Sequence, residues 1–269
     1  MCRLFFIFDH ILTINEIKKI AAQRTQKKSR YSLSNRDNGP RLDGMGVAYR
    51  NKKKWIIRSC PISPEICIQL LLDLPKIKEP TIIHLRQQTA DRDRDRDREL
   101  MMEDTHPFLH RDSIFAHNGK LYNFHAEPTK LMKYIDKDLR GYIFGKTDSE
   151  QLFYLFLTEL QKFKKRRNID FQEIHKNVLL PFFQIIAKEY PKYFANFIFS
   201  NSEFSIVTRY KHGLNIPALS LYYSTNDGFI VSSEPFGSLD YRLVPEQTVI
   251  YVNHRTKHAF LQSIDFPDL

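Results

Sequence analysis

Short apolar runs open and close this chain, and two longer helical patterns occupy its middle. Arg3–Phe8 is apolar and β-rich, a first strand. Residues 14–28 read as a helix that turns basic toward its C-terminal end. Residues 46–50 and 54–58 predict a hairpin around Asn51 and the lysines. Pro64 opens a helix behind Ser63 as N-cap, running to about Leu74. Segments 81–85 and 113–117 are short apolar strands. Thr147 and Glu150 have capping-box spacing ahead of a strongly apolar helix. A second long helix is expected from about Asp170, kinked or divided by Pro181. The remainder predicts strands over 194–199, 204–210, 218–223, 229–233 and 248–252, with Asp227-Gly228 as a tight hairpin turn. Strands at both ends around central helices suggest a layered α+β domain.

Composition narrows the class. At 269 residues, with 42% hydrophobic and 13% aromatic side chains, the chain has ample material for a core. No run of eighteen apolar residues exists, so no transmembrane helix and no membrane partner are expected. The apolar run 4–8 ends at Asp9 and His10 and reads as a strand rather than a signal peptide, which makes a cytoplasmic location the expectation. Cys2, Cys60 and Cys67 are too few for a disulfide framework and lack metal-ligand spacing; Cys60 and Cys67 are expected to be buried, inert thiols.

The net charge of +10 comes from short clusters: Lys27, Lys28 and Arg30, then 52–54, then 162–167. No nucleic-acid recognition motif accompanies them, so solvated surface is the expectation and a nucleic-acid partner is not. Residues 91–98 are four Asp-Arg repeats. In a helix this alternation sets opposite charges at i,i+3 but like charges at i,i+4, so the pairing largely cancels. A solvated loop is the reading, with a lid over a site as the alternative.

The candidate chemistry begins at Cys2. Removal of Met1 would leave a thiol and a free α-amine on one residue, a nucleophile with its own proton acceptor. The amine titrates near pH ~8, close enough to neutrality to act as a base. Signatures follow in order: Asp43-Gly44-Met45-Gly46, where backbone can approach a ligand closely; His84-Leu85-Arg86-Gln87-Gln88-Thr89; Thr105-His106-Pro107-Phe108; His117-Asn118-Gly119; Thr147-Asp148-Ser149-Glu150; and Ser233-Glu234-Pro235. Read alone, Asn118-Gly119 is also an ordinary turn dipeptide, Arg86 a surface arginine, and Asp148 an acid suited to a helix N-terminus.

The ordered set resembles the class II glutamine amidotransferases of the N-terminal nucleophile hydrolase type, and most of all their stand-alone branch. Those typically carry Met-Cys-Arg, Asp-Gly-Trp-Gly, His-x-Arg-x-Ala-Thr, Thr-His-Pro-Phe, His-Asn-Gly, Asp-Ser-Glu and Ser-Glu-Pro. Met45 departs from the tryptophan of that pattern, Gln88 from its alanine, and the Asp-Arg repeat lengthens the connection from Thr89 to Thr105. These departures bear on substrate identity more than on activity.

The resemblance implies a four-layer αββα sandwich formed by one domain over 2–269. It also implies a γ-glutamyl amide substrate, either glutamine or a larger γ-glutamyl compound, cleaved through a thioester on Cys2. Asn118 and Gly119 would form the oxyanion hole. Arg86 and Thr89 would hold the substrate's α-carboxylate, and Asp148 its α-ammonium. His84, His106 and His117 are expected to be structural hydrogen-bonding groups, with a Cys2–His dyad as the fallback if Met1 stays. No metal or cofactor is expected. Two other roles are weighed: an ammonia-supplying subunit for a separate synthase partner, and a catalytically silent basic binding module.

Overall fold

The apolar runs become strands that bury both of their faces. The computed structural model describes residues 2–23, 44–60, 64–86, 102–163 and 170–265. The first half contains β1 (Arg3–Phe8), α1 (Ile14–Ala22), β2 (Gly44–Asn51), β3 (Lys54–Cys60), α2 (Pro64–Leu72), β4 (Thr81–Arg86), β5 (Phe108–His110) and β6 (Ser113–Leu121). Helices α3 (Lys137–Arg140), α4 (Asp148–Lys162), α5 (Phe171–Ile174) and α6 (Leu180–Glu189) follow. Strands β7 (Tyr193–Ser200), β8 (Phe204–Arg209), β9 (Lys211–His212), β10 (Tyr222–Ser224), β11 (Phe229–Ser232), β12 (Arg242–Leu243), β13 (Thr248–Asn253) and β14 (Ala259–Ser263) complete it.

Two antiparallel sheets result. One runs β12-β10-β11-β1-β4-β2-β3; the other runs β14-β13-β8-β7-β6-β5, with β9 added beside β7. Successive side chains of a strand point to opposite faces. On β1, Leu4, Phe6 and Phe8 therefore fill the seam between the sheets, while Phe5 and Ile7 pack with α1 and α2. From the second sheet Ile114, Ala116, Ile198, Val207 and Ile250 enter the same seam. Their alternates Phe115, Phe197, Phe199 and Tyr251 lie under α4, α5 and α6. This is the αββα sandwich expected from the sequence. Cys60 is buried, as expected. No helix among the described residues is long and apolar enough to cross a membrane.

Several local expectations need correction. The helix expected over 14–28 is helical to Ala22, and positions from 24 to 43 lie outside the described residues, as do Ser63 and the Asp-Arg repeat. The hairpin is tighter than a lysine-rich turn suggests: Asn51 pairs with Lys54, and both Lys52 and Lys53 hold positive φ, at 46° and 71°. The capping box at α4 is half formed. Thr147 Oγ1 accepts from Glu150 N, but the Glu150 carboxylate turns to the N–H groups of Phe144 and Gly145, at 3.1 and 2.7 Å. Pro181, which has no N–H to donate, does divide its helix; a π-turn over His175–Leu179 joins α5 to α6. The Asp227-Gly228 turn is longer than two residues, since Ser224 pairs with Ile230, and Gly228 takes φ 75°.

The strand expected over 218–223 survives only as β10. Arg209, 3% exposed, donates to the carbonyls of Ala218, Leu219 and Val244 at 3.1, 2.9 and 2.6 Å, and Asn196 Nδ2 donates to Leu219 O at 3.1 Å. These side chains take the place of a strand ladder for that segment. Replacing Arg209 by methionine takes the donor from the Ala218 and Val244 carbonyls and leaves Leu219 O with Asn196 alone. The expected result is a loss of roughly 3–5 kcal/mol, read from the urea midpoint at unchanged slope.

Candidate active site

The same alternation that builds the core delivers polar groups to one end of the seam. Cys2 is in step with Leu4 and Phe6. On β4, His84 and Arg86 are in step with Ile82, and on β6 Asn118 is in step with Ile114 and Ala116. The β1–β4 register pairs Arg3 with Leu85, which carries Arg86 beside Cys2. Across the seam, Asn118 Nδ2 donates to Cys2 O at 3.2 Å and reaches Ser233 Oγ at 3.5 Å. Ser233 is tied to β1 in both directions. Its Oγ accepts from Leu4 N, and its N–H donates to Leu4 O, each at 2.9 Å. Arg3 Nη1 donates to Cys2 O at 3.4 Å; burial lowers the Arg3 pKa, and Glu234 opposes that shift.

Asn118-Gly119 is not a turn, because β6 continues to Leu121. Ala195 N–H bonds Tyr210 O at 2.9 Å, so the Gly119–Ala195 pair is of the non-hydrogen-bonded kind. Gly119 N–H therefore points away from β7, past the end of β5. Leu121 N–H points the same way and donates to Asp148 Oδ2 at 2.8 Å. Asp148 and the Gly119 N–H thus share one edge of β6, about 7 Å apart from the strand rise. A Cβ on Gly119 would lie 2.1 Å from Phe194 O and 2.2 Å from His117 Nε2. Glycine is required there by the chain's own packing.

Gly46 has a similar explanation. A Cβ on it would lie 1.8 Å from His106 O, so the glycine-rich strand admits the chain's own 105–107 segment rather than a ligand. That segment follows Asp104, whose carbonyl accepts from Arg86 Nη1 at 3.0 Å and whose Oδ1 accepts from Lys146 N at 2.9 Å. Arg86 is thereby steadied next to the loop leading into α4.

The histidines divide. His117 hydrogen-bonds as expected, with Nδ1 2.8 Å from Ser149 Oγ and Nε2 3.2 Å from Phe194 O. His84 and His106 instead pack ring against ring, with centroids 4.2 Å apart and planes tilted by 37°, and His106 packs on Phe108 at 4.6 Å and 57°. Burial, then the nearby Arg86 and His117, push His84 down to about 3. Burial and His84 likewise lower His106. Both are neutral in the fold.

Of the sequence-derived site residues, Cys2, Arg86 and Asn118 meet at the seam end, and Gly119 and Asp148 lie along the adjoining strand edge. Thr89, Gln88 and Asp43 fall outside the described residues. The sequence reading missed Asp104, for which no motif signalled a role. It also left Ser149 and Ser233 without roles, although both stood inside recognised signatures.

A half-buried cysteine at the head of a central strand in an αββα sandwich fits an N-terminal nucleophile type of fold. The chain belongs to the class II glutamine amidotransferases: the family described as "Glutamine amidotransferases class-II" matches residues 15–220. It is an amide-acting enzyme of that family. It is 28% identical over 262 residues to the "Probable glutamine amidotransferase DUG3" of Saccharomyces cerevisiae, covering 87% of this chain and 70% of that one. A glutamine aminotransferase class-II domain protein from Silicibacter pomeroyi superposes with TM-score 0.64 at 16% identity, covering 97% of this chain and 99% of the other. The glutamine phosphoribosylpyrophosphate amidotransferase of B. subtilis superposes at TM-score 0.59 and 16% identity, over 99% of this chain and 50% of that longer one.

The neutral histidine pair gives a pH prediction. Unfolded histidine binds a proton near pH ~6.5, whereas His84 in the fold does so only at about 3. The stability this provides is present above ~6.5 and is lost as pH falls toward about 3, because the unfolded chain then binds more protons. Melting temperature should drop between about pH 7 and about pH 5. His106→Phe keeps an aromatic ring at that position but removes one of the two depressed histidines, so it should flatten part of that slope; an unchanged slope rules His106 out as a contributor.

Proposed function

We propose that the chain hydrolyses a γ-glutamyl amide with Cys2 as its nucleophile, after removal of Met1. The observation that carries this reading is the meeting of Cys2 with Asn118 at the polar end of the seam, 3.2 Å from Asn118 Nδ2 to Cys2 O. In this mechanism Cys2 Sγ attacks the γ-carboxamide carbon, and the freed α-amine of Cys2 takes the thiol proton. The negative charge of the tetrahedral intermediate falls to Asn118 Nδ2 and Gly119 N–H. Collapse breaks the C–N bond, the α-ammonium returns its proton to the departing ammonia or amine, and a γ-glutamyl thioester remains. Water then attacks the thioester by the same route in reverse.

Arg86 suits the α-carboxylate, because a guanidinium beside the nucleophile offers two parallel donors. Thr89 is assigned to the same carboxylate by its motif alone. Asp148 suits the α-ammonium, being a carboxylate on the strand edge that also carries Gly119 N–H. The substrate is glutamine or a larger γ-glutamyl compound, and the reading treats 2–269 as one cytoplasmic amidotransferase-like domain. Where a synthase partner receives the ammonia, adding that partner raises turnover.

The test joins intact-mass measurement with ammonia release from glutamine and from a bulkier γ-glutamyl amide. Expected are loss of Met1, no activity in Cys2→Ala, and a loss of about 10²–10³ in kcat for Asn118→Ala. Retained Met1, or Cys2→Ala as active as wild type, would overturn the assignment.

A further inference from the structure

Ser149 carries one hydroxyl hydrogen and stands between two acceptors. His117 Nδ1 is 2.8 Å from its Oγ, and Asp148 Oδ1 is 3.2 Å from it. On the far side of the ring, His117 Nε2 is 3.2 Å from the carbonyl of Phe194, which accepts and never donates. That contact puts the imidazole hydrogen on Nε2 and leaves Nδ1 as an acceptor. The Ser149 hydroxyl then turns to His117 and away from Asp148. Asp148 Oδ2 is already engaged by Leu121 N–H, so Oδ1 is the oxygen left to meet a cation.

With a second proton on His117 the order reverses. Nδ1 would donate to Ser149 Oγ, and the hydroxyl would turn onto Asp148 Oδ1, offsetting negative charge where an ammonium is to bind. Burial lowers the His117 pKa, with Asp148 opposing, so the ring is neutral at neutral pH. The other ionisable groups acting on this cluster are His84 and His106, both neutral, which act on His117, and the Tyr190 hydroxyl, which acts on Asp148. The glycine at 119 belongs to the same arrangement, since a Cβ there would enter the His117–Phe194 hydrogen bond.

We infer that His117 is a positioning residue for the α-ammonium of the substrate: acting through Ser149, it keeps Asp148 Oδ1 open to that cation. The inference deepens the proposed function and rests on its assignment of Asp148. It concerns binding of one end of the substrate and leaves the bond-breaking steps to Cys2 and its donors.

The experiment compares ammonia release by the full chain from glutamine and from glutaramate, which has the same carboxamide and carboxylate but no ammonium. His117→Asn and His117→Phe should raise KM for glutamine about tenfold, the scale of one hydrogen bond to a charged group. Glutaramate kinetics should move far less, so the preference for glutamine collapses. Equal losses on both substrates would show a merely structural role and overturn the inference.

Ser149→Ala supplies a second reading should the His117 variants fail to fold. Because burial holds the His117 pKa below the ordinary histidine value of ~6.5, wild-type KM for glutamine should climb only in the acid range beneath that value, while KM for glutaramate does not. Ser149→Ala lacks the hydroxyl being steered and should lose that climb. The same acid response in both proteins would overturn the inference. Absent ammonia release from either amide, or activity independent of Cys2, would instead overturn the amidohydrolase reading, and this inference with it. Activity that needs Cys2, with selectivity unchanged in these variants, would defeat the inference alone.

Discussion

A β-strand presents alternate residues to opposite faces, and in this fold both faces of both sheets are covered. Every central strand must therefore supply two apolar rows, one for the seam between sheets and one for a helical layer. The placement of the chemistry depends on that constraint. Cys2 reaches the seam because it is in step with Leu4, Phe6 and Phe8, and Asn118 because it is in step with Ile114 and Ala116. A one-residue slip of β1 would send Cys2 to the helical side and Phe5 into the seam. Core packing thus fixes the register that the site needs.

The seam is apolar for most of its length and polar at one end. There, buried polar groups need partners, because an unpaired one costs about 1–3 kcal/mol. The chain meets this need with side-chain bonds: across the seam from Asn118 to Cys2 and from Arg209 to the carbonyls of the 218–219 segment and Val244, and within one sheet between Ser233 and Leu4. Glycines 46 and 119 are needed at this end for close contact between chain segments, with the His106 carbonyl and with the His117–Phe194 contact respectively. Each admits a neighbour that orients the residues around the site. The polar end is therefore ordered by its own hydrogen bonds before any substrate is considered.

The same reasoning separates the two sides of β6. Asn118 faces the seam and Cys2; His117 faces the helical layer and Ser149; the strand edge itself carries Gly119 N–H and, through Leu121, Asp148. Three consecutive residues thus serve three directions. A turn at Asn118-Gly119 would have broken this arrangement, which depends on the strand's continuation to Leu121.

Much of this was legible in the sequence. The apolar runs gave most strands and the layered α+β class, and the ordered motifs named Cys2, Arg86, Asn118, Gly119 and Asp148 as a group. Local pattern erred where distant partners decide. Segment 218–221 looks like a strand, yet its carbonyls bond Arg209 and Asn196, and Glu150 abandons its own capping box for Phe144 and Gly145. Residue identity by itself determined which chemical groups the chain possesses and the faces on which they alternate, since both follow from covalent structure and strand periodicity. Only the tertiary structure decided which groups meet: the packing of His84 against His106, the direction of Gly119 N–H, and the Ser149 hydroxyl between His117 and Asp148. Those depend on strand pairings between residues far apart in the chain, which no local pattern encodes.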